Sequence, residues 1–219
     1  QHRTQLRGWQ AVLVLGAHAD RAFAERMLPE LFHHLAVPHV PDVRDCQELL
    51  GCALCALHED LVVEPLLVPA LANFDAQTQV SASLLVLASF LFKRWSTVAA
   101  AGDGAGAGLD LRRIAALVRA VAPYLSHNSA YVRGTAAWGF YEIFEALGAP
   151  RLTEHLPAGD AALVADLYRF VAGNKECKKM RGRLKPVFAG VEPGEPAMLS
   201  RLLELSQVLP PSAGEPAEP

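Results

Sequence analysis

The residues best suited to chemistry form a short cationic run near the C-terminal end of the chain, KECKKMRGRLK from Lys175 to Lys185. It holds six cations against one acid, Glu176. The cations are Lys175, Lys178, Lys179, Arg181, Arg183 and Lys185. Lysine and arginine at this density neutralise phosphates and release counterions, which is typical of a nucleic-acid contact. The run, termed the basic block below, is therefore predicted to bind RNA phosphates, and the alternative is a solvated face near a domain boundary.

The rest of the chain carries a second and weaker basic zone. The formal net charge of the whole chain is −3, which argues against a uniformly basic nucleic-acid binder. The second zone comprises three arginines on one predicted helix, Arg112, Arg113 and Arg119. Arg44 and Arg133 each follow a valine, and we predict that they brace neighbouring helices through acids such as Asp42 or Asp45.

Four cysteines raise the question of a metal site or a disulfide framework. Cys46, Cys52 and Cys55 lie close together in a predicted Ala/Leu-rich helix, and Cys177 lies in the basic block. Cys52 and Cys55 have CxxC spacing, but a structural zinc site needs four ligands and no second pair follows at a comparable spacing. Histidines 33, 34, 39 and 58 are the other potential ligands. We predict buried thiols in a reducing, intracellular setting and no metal site.

Enzyme motifs are absent from the sequence. No P-loop, HExxH or GxSxG pattern occurs, and the glycine-rich stretch near Gly102 lacks the Lys and Ser/Thr of a phosphate cradle. Ser126 and His127 are adjacent, so they cannot face each other as nucleophile and base. We predict instead that Ser126 or Asn128 caps the next helix and that the chain alone is not catalytic.

Helical periodicity runs through the chain and predicts an all-α protein. The predicted helices are residues 4–17, 20–36, 42–58, 60–72, 76–95, 109–125, 129–147, 160–173 and 196–208. Three of them begin alike, with a polar or turn opening, a valine and a long apolar run. Val80 follows Val43 by 37 residues, and Val132 follows Val80 by 52, or about 40 without the Gly/Ala insert. This period predicts a HEAT/armadillo-like α-solenoid of antiparallel helix pairs, with bends at Pro29 and Pro123.

The chain divides into a helical segment and a short tail. Residues 1–209 are predicted to form the solenoid, with a flexible surface loop at about 99–108. Residues 210–219 are rich in Pro, Gly and Glu and are predicted to be a linker or a disordered end. No signal peptide or initial Met is present, so we expect a piece of a longer protein. The apolar run from Val80 to Phe92, at thirteen residues, is short for a membrane span, and we expect a cytoplasmic or nuclear location.

Several segments together resemble one known family. They are LRGWQAVLVL from Leu6, AERMLPELFHHL from Ala24, LLVPALANFDAQTQVSASLLVLASFL from Leu66, LVRAVAPYLSHNSAYVRGTAAWGFYEIFE from Leu117 and FVAGNKECKKMRGRLK from Phe170. A final FxxVEP…LxxLLELSQVLP pattern runs from Phe188 to Pro210. The set is similar to the last helical repeats of the large eukaryotic tRNA (guanosine-2′-O)-methyltransferases of the TAR RNA-binding protein type. The NKxCKKMR and SHN…VR blocks are the distinctive pieces.

The resemblance implies a role in holding RNA. In that family a helical-repeat arm precedes a knotted SPOUT methyltransferase domain that uses S-adenosylmethionine on tRNA. The chain contains no residue of that knot, so the resemblance implies no cofactor here and S-adenosylmethionine in the parent protein. The expected partners are tRNA and the protein's own methyltransferase domain, without a membrane. The alternative is a HEAT-type scaffold that binds a protein. The sequence leaves open which RNA is bound and which oligomer forms.

Overall fold

The structure is a computed structural model that describes residues 2–16, 18–37, 39–73, 78–101, 109–153 and 158–173. Within these ranges the backbone forms helices and short turns, and no strand occurs. The predicted all-α class is therefore confirmed. The basic block, the predicted helix 196–208 and the predicted tail 210–219 lie outside the described residues.

The first half of the helical order runs α1 His2–Gly16, α2 Arg21–Leu35, α3 Pro41–Leu57, α4 Glu59–Val62, a π-helical turn Val63–Leu67 and α5 Val68–Ala72. The second half runs α6 Thr78–Ala101, α7 Leu111–Val121, a 3-10 turn Ala122–Ser126, α8 Ala130–Thr153 and α9 Ala158–Gly173. Each of the eight helices predicted up to residue 173 is found. The predicted helix 60–72 is observed as α4, the π-helical turn and α5 in succession.

The ends of two helices, α6 and α8, can be compared with their predicted ends. α6 ends at Ala101, so residues 99–101 are helical and do not belong to the predicted loop 99–108, whose remainder lies outside the described residues. Alanine is the strongest helix former, which explains why this alanine run extends the helix. α8 leaves helical dihedrals at Gly148 (φ 71°, ψ 157°), directly after its predicted end at residue 147, and a short helical stretch follows to Thr153. Glycine takes this positive φ without a Cβ clash.

Local signals explain where several helices begin and bend. The carboxylate of Asp20 accepts the Phe23 N–H at 2.7 Å and caps α2, and Asp110 caps α7 in the same way. Pro41 occupies the first turn of α3, where no N–H is needed. Pro65 lies in the π-helical turn between α4 and α5. Proline has no N–H to donate to an α-helical hydrogen bond, and the helix is π-helical around this residue. Pro123 lies in the 3-10 turn that ends α7, as a bend there requires.

The helices pack in two rows. In the first, termed the inner row, α1 packs against α3, α3 against α6 and α6 against α8. In the second, termed the outer row, α2 contacts α4, α5 packs against α7, and α7 contacts α9. Val43, Val80 and Val132 are all buried, each near the start of an inner-row helix. The shared register in the sequence thus corresponds to shared positions in one row.

Each interface along the inner row has a glycine at close approach. A Cβ on Gly139 of α8 would lie 2.8 Å from Phe92 Cδ2 on α6, and one on Gly51 of α3 would lie 3.0 Å from Leu87 Cδ2 on α6. A Cβ on Gly16 of α1 would overlap Leu50 of α3. The absence of a side chain at these points lets the helix backbones approach, and large apolar side chains fill the space.

We expect Gly139→Ala to lower the free energy of unfolding by about 1–3 kcal/mol, because its methyl group would press on the fully buried ring of Phe92. Gly8→Ala in α1 is the matched control, since no atom lies within 4 Å of its new methyl group. Helix propensity alone predicts that Gly8→Ala raises stability by up to about 1 kcal/mol. Urea unfolding followed by circular dichroism measures both. Equal stability gains in the two variants would contradict the close approach at Gly139.

Candidate nucleic-acid interface

In the sequence, the basic block begins just after the last described residue, Gly173. Its first cation, Lys175, follows the end of α9 at Gly173 by two residues. All six predicted phosphate ligands lie outside the described residues: Lys175, Lys178, Lys179, Arg181, Arg183 and Lys185. α9 itself packs against α7 and α8, so the block is attached to a helix held in the array.

The second basic zone lies on α7, and its three arginines do not act together. Arg112 and Arg119 are exposed and seven residues apart, which puts them on one face about 10 Å apart along the helix. Arg119 lines a groove between α5 and α7. Arg113 lies about 100° around the helix from Arg112, toward α4. Arg112 and Arg119 thus remain suited to phosphate contact, whereas Arg113 faces the protein.

Arg113 is held by two acids from the preceding helices. Its Nη1 donates to Glu59 Oε1 and its Nη2 to Glu64 Oε2, both at 3.3 Å. These acids raise the pKa of Arg113, although its partial burial acts in the opposite direction. Arg94 of α6 also approaches Glu59, at 3.8 Å. Glu59 therefore links the inner row, through Arg94, to the outer row, through Arg113. We term this contact the Glu59 junction.

Other cations of the described residues are held in the same manner. Arg21 donates to Asp60 at 2.8 Å and to Glu25 at 3.1 Å, which ties α2 to α4. Lys93 of α6 donates to Glu142 of α8 at 2.9 Å, and the Glu142 side chain is only 6% exposed. These pairs neutralise much of the positive charge of α2 and α6. These cations thus have acidic partners on neighbouring turns or helices, whereas the basic block has a single acid for six cations in its own sequence.

Arg44 and Arg133 contact nearby residues of their own segments, α3 for Arg44 and the turn before α8 for Arg133, whereas we predicted contacts with neighbouring helices. Arg44 approaches Glu48 at 3.4 Å and Asp45 at 3.8 Å, both on α3. Arg133 donates from Nη1 to the carbonyl oxygens of His127 and Asn128, at 2.6 and 2.8 Å. Both arginines lie in the first turns of their helices, within reach of acids or carbonyls on the same segment.

His127 organises the turn before α8, a role that we assigned to Ser126 or Asn128. The imidazole is buried and stacks on Tyr124, and its Nδ1 accepts the Ser129 N–H at 3.0 Å. Ser126 instead donates its hydroxyl to the Pro123 carbonyl. The hydroxyl of Tyr124 donates to the Leu71 carbonyl at 3.0 Å and ties this turn to α5. The SHNS segment is therefore a structural turn.

Glu48 is the side chain that sequence reasoning missed. It lies in the seam between α3 and α6, 15% exposed, and accepts the Ser83 hydroxyl at 2.6 Å. Burial raises the pKa of Glu48 to about 7, although Ser83 and Arg44 act in the opposite direction. The groups that face it are Arg44 and Asp45 on α3, Ser83 on α6 and Tyr131 on α8. A glutamate at i+4 from an arginine looks like an ordinary surface pair in the sequence.

The cysteines of α3 are free and buried. Burial raises the pKa of both Cys52 and Cys55, so these thiols stay protonated and unreactive. Within the described ranges, no group of three or more His, Cys, Asp or Glu side chains is arranged to hold a metal ion. His33, His34 and His39 instead form ring contacts with one another and with Trp9.

Helix α6 is long and apolar enough, over Gln79–Ala100, to cross a membrane by length and composition. The apolar run Val80 to Phe92 is thirteen residues long, but α6, which contains it, has 24 residues. It packs between α3 and α8, and 67% of the apolar window is buried within the protein. This burial is what the core helix of a soluble protein also shows, so the helix is weak evidence for a membrane.

Comparisons with protein-family models, curated proteins and solved structures found no match to this chain.

We expect Arg113→Ala to lower the free energy of unfolding by about 1–3 kcal/mol, because Glu59 would lose its closest cation while only 22% exposed. Arg112→Ala removes the same charge from an exposed neighbour and is the matched control, with an expected change within about 0.5 kcal/mol. Urea unfolding at neutral pH measures both. Similar values for the two variants would show that the Glu59 junction does not depend on Arg113.

We expect the protein to lose stability as the pH rises from about 5 to above 7, by about 3 kcal/mol from Glu48 alone. The folded pKa of Glu48 exceeds its unfolded value of about 4.5, so the folded state binds the proton more tightly and deprotonation favours unfolding. Glu48→Gln should be more stable than the unmodified chain at pH 8 and equal to it near pH 4.5. Urea unfolding across this range tests it, and parallel pH profiles of the two proteins would contradict the raised pKa.

Proposed function

We propose that this chain is a segment of a HEAT-type α-solenoid that holds RNA for a methyltransferase domain elsewhere in its protein. The observation that carries the proposal is the basic block, with six cations and one acid in eleven residues directly after α9. Phosphates are its natural ligands. The chain itself is proposed to position RNA and to perform no chemistry.

The two-row packing supports the solenoid part of the proposal. The pairs α2–α3, α4/α5–α6 and α7–α8 each place one helix in the outer row and the next in the inner row. Stacked helix pairs of about 40 residues are the unit of HEAT arrays. In such arrays each repeat packs only against its neighbours, and the stacked repeats form a long surface for binding.

The distribution of charge supports the RNA part. Several cations within the helices, among them Arg21, Lys93 and Arg113, are paired with acids. The basic block has a single acid to offset its cations. Arg112 and Arg119 on α7 would extend its contact, because α9, from which the block continues, packs against α7. Arg113 is omitted from this surface.

The likeness to the tRNA 2′-O-methyltransferase family supports tRNA as the RNA. In this proposal the basic block and α7 hold phosphates of the tRNA body, while a SPOUT domain outside this chain reads and methylates the base. Phosphate contacts fix position and carry no base information. S-adenosylmethionine belongs to that domain, and no residue of this chain is proposed to bind it.

We expect the full chain to bind labelled tRNA with an affinity that falls steeply with salt. Replacing Lys178, Lys179, Arg181 and Arg183 with Ala should reduce the slope of log affinity against log salt by about 3, since each lost phosphate contact removes about 0.7–0.9. Fluorescence anisotropy at four salt concentrations measures it.

The matched control replaces Arg3, Arg7, Arg26 and Arg151, which are exposed arginines of the described helices, and removes the same total charge. Its slope should change much less. Equal losses in both variants would reduce the effect to overall charge, and no binding by the unmodified chain at low salt would exclude the RNA proposal.

One observation favours a second function, a scaffold that binds a protein. Tyr131 is 49% exposed beside the seam of α3, next to Asp45, and exposed aromatic side chains are enriched in protein interfaces. In this alternative the partner would contact the inner row and leave the basic block free. Tyr131→Ala would then abolish protein binding and leave tRNA binding unchanged, as isothermal titration of each partner can show.

A further inference from the structure

The outer row carries an apolar groove that no described helix covers. It lies between α5 and α7, has a volume of about 430 Å³ and is lined by Val68, Ala72, Ala116, Arg119, Ala120 and Pro123. Its size falls within the range of sites that bind ligands or peptide side chains. The lining is apolar apart from Arg119, and its small side chains allow the backbone of another helix to approach closely.

The sequence beyond α9 contains a segment that fits this groove. Residues 196–208 lie outside the described residues, and their sequence predicts a helix whose apolar stripe includes Met198, Leu202 and Leu205. An amphipathic helix of this kind must bury its stripe against another element. Glu204 and Arg201 are the only charged residues of the segment, so its formal charge is zero and the match to the groove is one of apolar character.

The connection is long enough for this contact. Twenty-two residues separate Gly173 from Pro196, and a chain of this length spans up to about 75 Å when extended. α9 is 16 residues long, or about 24 Å, and it already contacts α7. The connection, which begins at the C-terminal end of α9, is therefore long enough for the segment to reach the groove whichever way α9 runs relative to α7.

We propose that residues 196–208 dock as a helix in the groove between α5 and α7. This contact returns the chain across the outer row and holds the basic block, which lies in the connection, near Arg112 and Arg119 on α7. The two basic zones then form one surface. The docking does not depend on RNA binding; only the use of this combined surface rests on the proposed function.

Hydrogen exchange of the full chain, followed by mass spectrometry, tests the docking. In the unmodified protein the peptide covering 196–208 should exchange at least about tenfold more slowly than an unstructured peptide. Ala116→Arg places a bulky charge in the groove and should remove this protection. Ala130→Arg, at an exposed site on α8, is the matched control and should leave the protection intact.

The reciprocal variant is Leu202→Asp with Leu205→Asp, which removes the apolar stripe without touching the described core. It should accelerate exchange in the peptides that cover α5 and residues 116–123, while α1 to α3 stay unchanged. Ser200→Asp with Gln207→Asp, outside the stripe, is its control. This reciprocity keeps the test decisive even where Ala116→Arg impairs folding.

Two results would overturn the docking. One is fast exchange of residues 196–208 in the unmodified protein, or protection that Ala116→Arg leaves in place while the core stays folded. The other is protection that increases with protein concentration together with dimer sedimentation, which would make a second copy the occupant. Failure of tRNA binding with the exchange pattern intact would leave the docking standing and reject only the RNA proposal.

Discussion

The close approach of the inner-row helices is the constraint on which the rest of the structure depends. At Gly16, Gly51 and Gly139 the lack of a side chain lets one helix receive a large apolar group of the next. Because interiors are packed without spare volume, these contacts set the spacing and register of α1, α3, α6 and α8. The outer-row helices then lie where the inner row places them, tied by contacts such as that of Tyr124 with the Leu71 carbonyl.

This spacing decides which charges meet. Glu142 reaches Lys93 only because α8 packs against α6. Glu59 of α4 reaches Arg94 of α6 and Arg113 of α7 only because the packing brings these three helices near one another. Partly buried pairs of this sort contribute more to the choice of one arrangement than to net stability, since desolvation offsets much of the attraction. Desolvation also acts on Glu48: its burial between α3 and α6 makes ionisation of the carboxyl group unfavourable and raises its pKa.

Some side chains of types that elsewhere do chemistry have structural places in the described helices. His127 receives an N–H of its own turn, and the thiols of Cys52 and Cys55 are closed off from solvent. At the surface of the described residues, charged side chains occur alongside exposed apolar ones such as Leu15 and Tyr131. In the proposed function, stacked helices of this kind would keep a phosphate-binding surface in place beside a separate catalytic domain.

The amino-acid sequence by itself determined the helices, their order and their common register, because apolar periodicity, caps such as Asp20 and Asp110, and the valine landmarks act over a few residues. It also exposed the basic block, which is a property of composition. The outcome at individual side chains was decided by tertiary structure: Arg113 turned inward while Arg112 and Arg119 stayed outside, and Glu48 lay in a seam. Those outcomes depend on residues 35 to 54 positions away, such as Ser83 for Glu48 and Glu59 for Arg113. Local pattern carries no information about such distant partners, since only the packed rows bring them together.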